Sequence, residues 1–210
     1  MKKIMPLAAS MAIMLIAGIF ASAGTMAQFT DTETASDNLV EAGTLDLKVS
    51  STKSPLGDDP YIVHVELSNV KPGDGTIGWG AGHPDAWYWT VKNVGSLPGV
   101  LTITIKNIVN YENGRNEPEK AVDPTGGNPG PGNGELGSKI RIQVYFNGKW
   151  VYEIGNLNAA EGVDIVSGFV LDPNEEATLN INWSVFDTAG NEIQSDSVEF
   201  DIIFHLEQVD

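Results

Sequence analysis

Between Leu45 and Leu206, apolar residues recur at every second position in run after run, with turn-forming residues between the runs. A period of two sends successive side chains to opposite faces of an extended chain, so each run reads as a strand with one face turned to a core. Leu45, Leu47 and Val49 share a face, as do Tyr61, Val63, Val65 and Leu67, and Trp87, Trp89 and Val91. Leu101, Ile103 and Ile105 follow, then Ile140, Ile142, Val144 and Phe146, and the run from Val166 to Leu171. Leu179, Ile181, Trp183 and Val185 come next, and the series ends with Val198, Phe200, Ile202, Phe204 and Leu206. About eight or nine such strands predict an all-β fold, a jelly-roll-like two-sheet sandwich.

The connections fit that reading. Val70-Lys-Pro-Gly-Asp74 and Leu171-Asp-Pro-Asn-Glu175 are Pro-containing turns, and Asn147-Gly148 is a tight hairpin turn. Asn156 to Val163 predicts one short helix with Asn156 or Asn158 as its cap. Residues 111–137 include Asp123-Pro-Thr-Gly-Gly-Asn-Pro-Gly-Pro-Gly-Asn-Gly134 and read as a mobile Gly/Pro-rich surface loop rather than core. No repeat of fixed period is present.

The amino terminus has another character. Met1-Lys-Lys supplies a positive end, Ile4 to Phe20 an apolar stretch broken by Pro6 and Ser10, and small residues follow, which together read as a signal peptide. Its core, Met11 to Phe20, is short for a bilayer and no basic stop-transfer cluster follows it, so membrane insertion after maturation is not expected; a retained anchor is the alternative. Cleavage after Ala23 or after Ala27 satisfies the small-x-small rule. A cut between Ala27 and Gln28 makes residues 1–27 the signal and leaves an arm, residues 28–41, ahead of a β domain at 42–210. The large apolar residues of that arm are Phe29, Leu39 and Val40, so it cannot bury itself. Such a segment is a disordered terminus or a strand that pairs outside its own domain.

Composition narrows the function. The formal charge of −16 repels phosphate backbones and anionic lipid, which argues against nucleic-acid and membrane-surface binding. No cysteine is present, so thiol catalysis and thiolate metal sites are excluded, and an exported chain must hold together by packing, metal or association. The zinc-protease motif His-Glu-x-x-His is absent. His64 and Glu66 share a strand face, and His83 with Asp85 is within conceivable reach; this is the arrangement a metallopeptidase reading would use, against the plainer reading of surface residues. No Gly-x-Ser-x-Gly elbow marks a nucleophile, and Gly75-Thr-Ile-Gly-Trp-Gly80 lacks the flanks of a nucleotide-binding loop. No catalytic residue, metal ligand or required cofactor is assigned. Gly57-Asp-Asp59 and Asp187-Thr-Ala-Gly-Asn191 offer oxygen ligands for calcium without EF-hand spacing. Trp79 and Tyr88 are the outward aromatics that a glycan-binding adhesion module would use, whereas Trp87 and Trp89 read as core. Asn182-Trp-Ser184 is a glycosylation sequon inside a predicted strand.

Gly24-Thr-Met-Ala-Gln-Phe-Thr-Asp31 followed by Asn38-Leu-Val-Glu-Ala-Gly-Thr-Leu-Asp-Leu47 resembles the opening of the TasA/camelysin family of secreted biofilm-matrix fibre proteins, which includes archaeal bundling pilins. The likeness continues through Val70-Lys-Pro-Gly-Asp74, Val91-Lys-Asn-Val-Gly-Ser-Leu-Pro98, Ala189-Gly-Asn-Glu-Ile-Gln194, Asp196-Ser-Val198 and Phe204-His-Leu-Glu-Gln208, and is poorest between Tyr111 and Gly137. The resemblance implies a jelly-roll domain whose arm, led by Gln28, Phe29, Thr30, Asp31, Thr32 and Glu33, completes a sheet in the next subunit. It implies cleavage at Ala27 by a dedicated signal peptidase, self-association into head-to-tail filaments, and an extracellular or cell-surface place in a biofilm matrix. Some family members have been called metallopeptidases; no motif here supports that label. A monomeric adhesion module is the remaining alternative.

Overall fold

The computed structural model describes residues 43–51, 54–57, 61–78, 86–114, 117–123 and 129–209. The predicted signal peptide and arm, including Ala27 and Gln28 to Glu33, lie outside the described residues, as do Asp58, Asp59, Trp79, His83 and Asp85.

Two antiparallel sheets pack face to face. The strands are β1 (Leu47–Ser51), β2 (Ser54–Gly57), β3 (Tyr61–Ser68), β4 (Trp87–Asn93), β5 (Gly99–Glu112), β6 (Gly130–Pro131), β7 (Ile140–Phe146), β8 (Lys149–Ile154), β9 (Val163–Leu171), β10 (Glu176–Val185) and β11 (Ser197–Gln208). One sheet has the order β2-β1-β4-β10-β7-β8; the other runs β3-β11-β5-β6, with β9 also pairing β5. From β3 onward the chain changes sheet at most connections, the β7–β8 hairpin being an exception, as a jelly-roll-like sandwich requires. Alternation explains the core: Leu47, Val49, Trp89, Val91, Leu179, Ile181, Ile142 and Val144 face Leu101, Ile103, Ile105, Phe200, Ile202 and Phe204 across the interior, all of them buried. The predicted strands all form, and Trp87 stacks on Trp183 at 6.0 Å and meets Phe200 edge-on at 5.5 Å.

Some local expectations need correction. The segment after Asn156 is a single 3-10 turn, Leu157–Ala160, although Asn156 does cap it by accepting a hydrogen bond from the Asn158 amide at 2.9 Å. Gly162 at φ 73° ends the turn before an α-helix can extend. The α-helix among the described residues is α1 (Glu117–Lys120), inside the stretch read as a loop. That stretch is not simply surface: β5 runs to Glu112, a 3-10 turn spans Leu136–Lys139, and Glu112, Glu119, Asp123 and Leu136 are buried. Asp196, just before β11, fastens it by accepting hydrogen bonds from the amides of Glu135 at 2.6 Å and Leu136 at 3.1 Å. Burial pushes the Asp196 carboxyl up to about 7, with the charges of Glu112 and Glu135 adding to the rise and the two amides opposing it.

Candidate functional site

Of the histidine arrangement, His64 and Glu66 lie among the described residues, and His83 and Asp85 lie outside them. His64 points outward from β3 and its ring is held by β11, with Nδ1 3.0 Å from Asp201 Oδ1 and Nε2 3.7 Å from Glu199 Oε2. Glu66 stands opposite Glu199 in the ladder, so it joins an acidic strip rather than a metal-binding pair with His64. Asp201 also accepts from Asn107 Nδ2 at 2.7 Å. Burial raises the Asp201 carboxyl, but the hydrogen bonds from Asn107 and His64 and the nearby imidazole outweigh it and hold the group below its usual range. This is a surface polar pair across a β-bulge at Asn107, φ 57°, whose amide and that of Ile108 are capped by the Glu161 carboxylate at 3.2 and 2.9 Å.

An open hollow of about 420 Å³ lies beside the end of β10, lined by Gly73, Ile77, Arg141, Ser184, Phe186 and Asp187 among others. Arg141 Nε donates to Ser184 Oγ at 3.1 Å. A cation on the serine oxygen, with no histidine among the described lining residues, is the reverse of an activated nucleophile. In the oxygen-rich loop at 187–191, Asn191 Oδ1 is taken by Gln194 Nε2 at 2.7 Å. Tyr88 is exposed on β4 as expected and Trp89 is buried, while Asn182 is fully buried, which closes its sequon to modification in the folded domain.

What remains is the sheet edge. β8 pairs only with β7, and β9 only with β5, among the described strands, and these two free edges approach each other on one flank of the sandwich. Tyr152 stands opposite Val144 and so shares its core-facing side, yet Tyr152 is 39% exposed where Val144 is fully buried. Trp150, opposite Tyr145 on the outer face, is 58% exposed, and Val151 between them sits where the register slips. Phe146 and Phe169 close the interior behind this flank, edge to face at 4.9 Å. Unpaired strand edges with apolar side chains are templates for another strand. Sequence reasoning missed β8 as a strand, although the Asn147-Gly148 turn that feeds it, with φ of 49° and 72°, was legible.

The start of the described chain is equally well defined. Residues 43–46 lie against the 94–97 turn: Val94 N donates to Asp46 O at 2.7 Å, Ser96 N and Leu97 N to Thr44 O at 2.8 and 3.1 Å, and Thr44 N to Ser96 Oγ at 2.9 Å. Gly95 permits this approach, since a Cβ there would stand 2.3 Å from Thr44 O and 2.8 Å from Asp46 N. Asn93 organises the turn from a fully buried position, donating to Leu97 O at 2.7 Å and Leu171 O at 3.0 Å and accepting from Gly95 N at 3.0 Å.

Compared with known protein families, curated proteins and solved structures, the chain matches none.

Proposed function

We propose that this protein is a secreted, non-catalytic structural subunit that polymerises head to tail into extracellular fibres of a biofilm matrix. Residues 28–41, freed by cleavage between Ala27 and Gln28, leave one subunit and add as a strand to the β8/β9 flank of the next. The observation that carries this reading is the partly uncovered inner face at β8, where Tyr152 occupies a core-facing position and is still 39% exposed. Backbone hydrogen bonds to the arm would satisfy the unpaired edge, and Phe29 would supply the apolar cover.

Reach supports it. The fourteen residues 28–41 span about 46–50 Å when extended. A body of this length has a radius of gyration of about 15 Å, so an arm can cross to a neighbour and still pair. Head-to-tail contacts of this kind do not close on themselves and yield filaments. The resemblance of Gly24 to Asp31 and of the later blocks to the TasA/camelysin family points the same way. The test is deletion of residues 28–41 with the export signal kept: the expected product is a folded domain that forms no filaments by electron microscopy. Filaments of ordinary length from that variant would refute the reading.

A further inference from the structure

We propose that Glu112, Glu119, Asp123, Glu135 and Asp196 form a calcium site that ties the excursion between β5 and β7 to the end of the sandwich. One oxygen each from Glu112, Asp123 and Glu135 lie within 4.8 Å of one another, and the same holds for Glu112, Glu119 and Asp196, so Glu112 is common to both groups. Oxygens on opposite sides of a Ca2+ ion stand about 4.6–5.2 Å apart, given Ca–O distances of about 2.3–2.6 Å. The spacing is that of a coordination sphere.

A second observation points to a ligand. Glu112 is 1% exposed and Asp196 is 2% exposed. Each is oriented through one oxygen: Glu112 Oε1 accepts from Gly114 N at 2.8 Å, and Asp196 Oδ2 accepts from the Glu135 and Leu136 amides. The other oxygen of each, Glu112 Oε2 and Asp196 Oδ1, is buried with no hydrogen-bond donor among the described residues. A buried carboxylate oxygen deprived of both water and donors is costly, and two of them in one acidic cluster more so. A cation removes that cost at Glu112 and Asp196 together.

The donor set chooses the ion. Carboxylates alone, with no imidazole and no thiolate, suit a hard cation and not zinc or copper. Magnesium holds on to several of its waters, whereas calcium accepts many protein oxygens in irregular geometry, which suits a buried, crowded cluster. The ligands come from the end of β5, from α1, from Asp123 just after it, from the residue before the Leu136–Lys139 turn and from the residue before β11, so the ion would fix a segment with few apolar anchors.

The experiment is calorimetric titration and thermal unfolding of the full chain after chelator treatment, with calcium chloride, magnesium chloride or EGTA. At calcium one hundred times the dissociation constant, the unfolding midpoint is expected to rise by about 5–11 °C. Glu112→Gln is expected to lose at least about tenfold in calcium affinity and, in EGTA, to be at least as stable as the native protein, because a repelling charge is gone. Asp196→Asn keeps an oxygen for the two amides and provides the second variant, with the same pattern expected. The proposal is overturned if calcium produces no rise, if both variants keep the native rise, or if both lose stability in EGTA as in calcium. That last outcome would assign the cluster to a counter-charge within the folded protein. A rise with magnesium equal to that with calcium would overturn the choice of ion.

Discussion

Asn93→Ala is the most informative single change, because one buried side chain serves three backbone groups on two segments, the 94–97 turn and the end of β9. Alanine removes the donations to Leu97 O and Leu171 O and the acceptor for Gly95 N, and no water reaches the fully buried position to replace them. A buried backbone group without a partner costs about 1–3 kcal/mol, less where it is partly wet, so the three together should cost about 3–5 kcal/mol. With a urea dependence of about 2–3 kcal/mol per molar for a domain of this size, the unfolding midpoint should fall by about 1–2 M. Asn93→Asp sharpens the test. It retains an acceptor for Gly95 N but turns a charged oxygen toward two carbonyl oxygens, so at neutral pH it should be less stable than the alanine variant. Its folded-state carboxyl would be raised, so the part of its deficit that comes from the charge should shrink as pH falls through that raised value and be gone below the ordinary Asp range. A loss below about 1 kcal/mol for alanine, or an aspartate variant more stable than alanine at neutral pH, would refute the three-bond account.

Other outcomes follow from the same geometry. Trp150→Lys with Tyr152→Lys should change the stability of the isolated domain by no more than about 0.5 kcal/mol per site, both positions being exposed, yet abolish fibre growth seen by electron microscopy; growth at the native rate would remove β8 from the proposed interface. Gly95→Ala should cost about 1–3 kcal/mol in urea unfolding, because the added carbon meets the backbone of residues 44–46, whereas Gly155→Ala meets nothing within 4 Å and should be neutral or slightly stabilising. Asp201→Asn should cost up to about 1 kcal/mol at neutral pH. Since the Asp201 carboxyl is held below its usual range, that contribution is present above the ordinary Asp value and lost as pH falls through the lower folded value. A native-minus-variant difference that persists at strongly acidic pH would contradict the sign.

The parts legible in the sequence are those in which burial imposes a period. Leu101, Ile103 and Ile105 lie in a central strand with one face covered, so their alternation is strict. In Lys149-Trp-Val-Tyr-Glu153 every residue is exposed to some degree, no face is selected, and the run carries no period although it is a strand. The partnership of His64 with Asp201 crosses 137 positions and is set by sheet order, so the sequence offered only the local neighbour Glu66 on the same face. The carboxylates of the excursion were invisible for a related reason. Glu112 and Asp196 come together because β5 and β11 are adjacent strands, and burial of an acid leaves no periodic mark.

The two regions that the proposed assembly would use are joined by the same residue that the first prediction removes. Asn93 reaches Leu171, the last residue of β9, through its side chain, while its own backbone is bonded to Asn174 N at 2.7 Å and Glu175 O at 3.2 Å. Through Gly95 and Leu97 it also sets the turn that grips Thr44 and Asp46, where the chain leaves the body toward residues 28–41. In a filament built by donated strands, tension enters each subunit at the root of its own arm and leaves through the edge that holds the next arm. Here those points are connected by short hydrogen bonds through Asn93 and need not load the whole core. Filaments of Asn93→Ala, grown under conditions where the domain remains folded, should therefore rupture at lower force in single-filament pulling, with residues 43–46 peeling from the 94–97 turn before β4 separates from β10. Rupture at the native force, or core unfolding as the first event in both proteins, would show that the load takes another path.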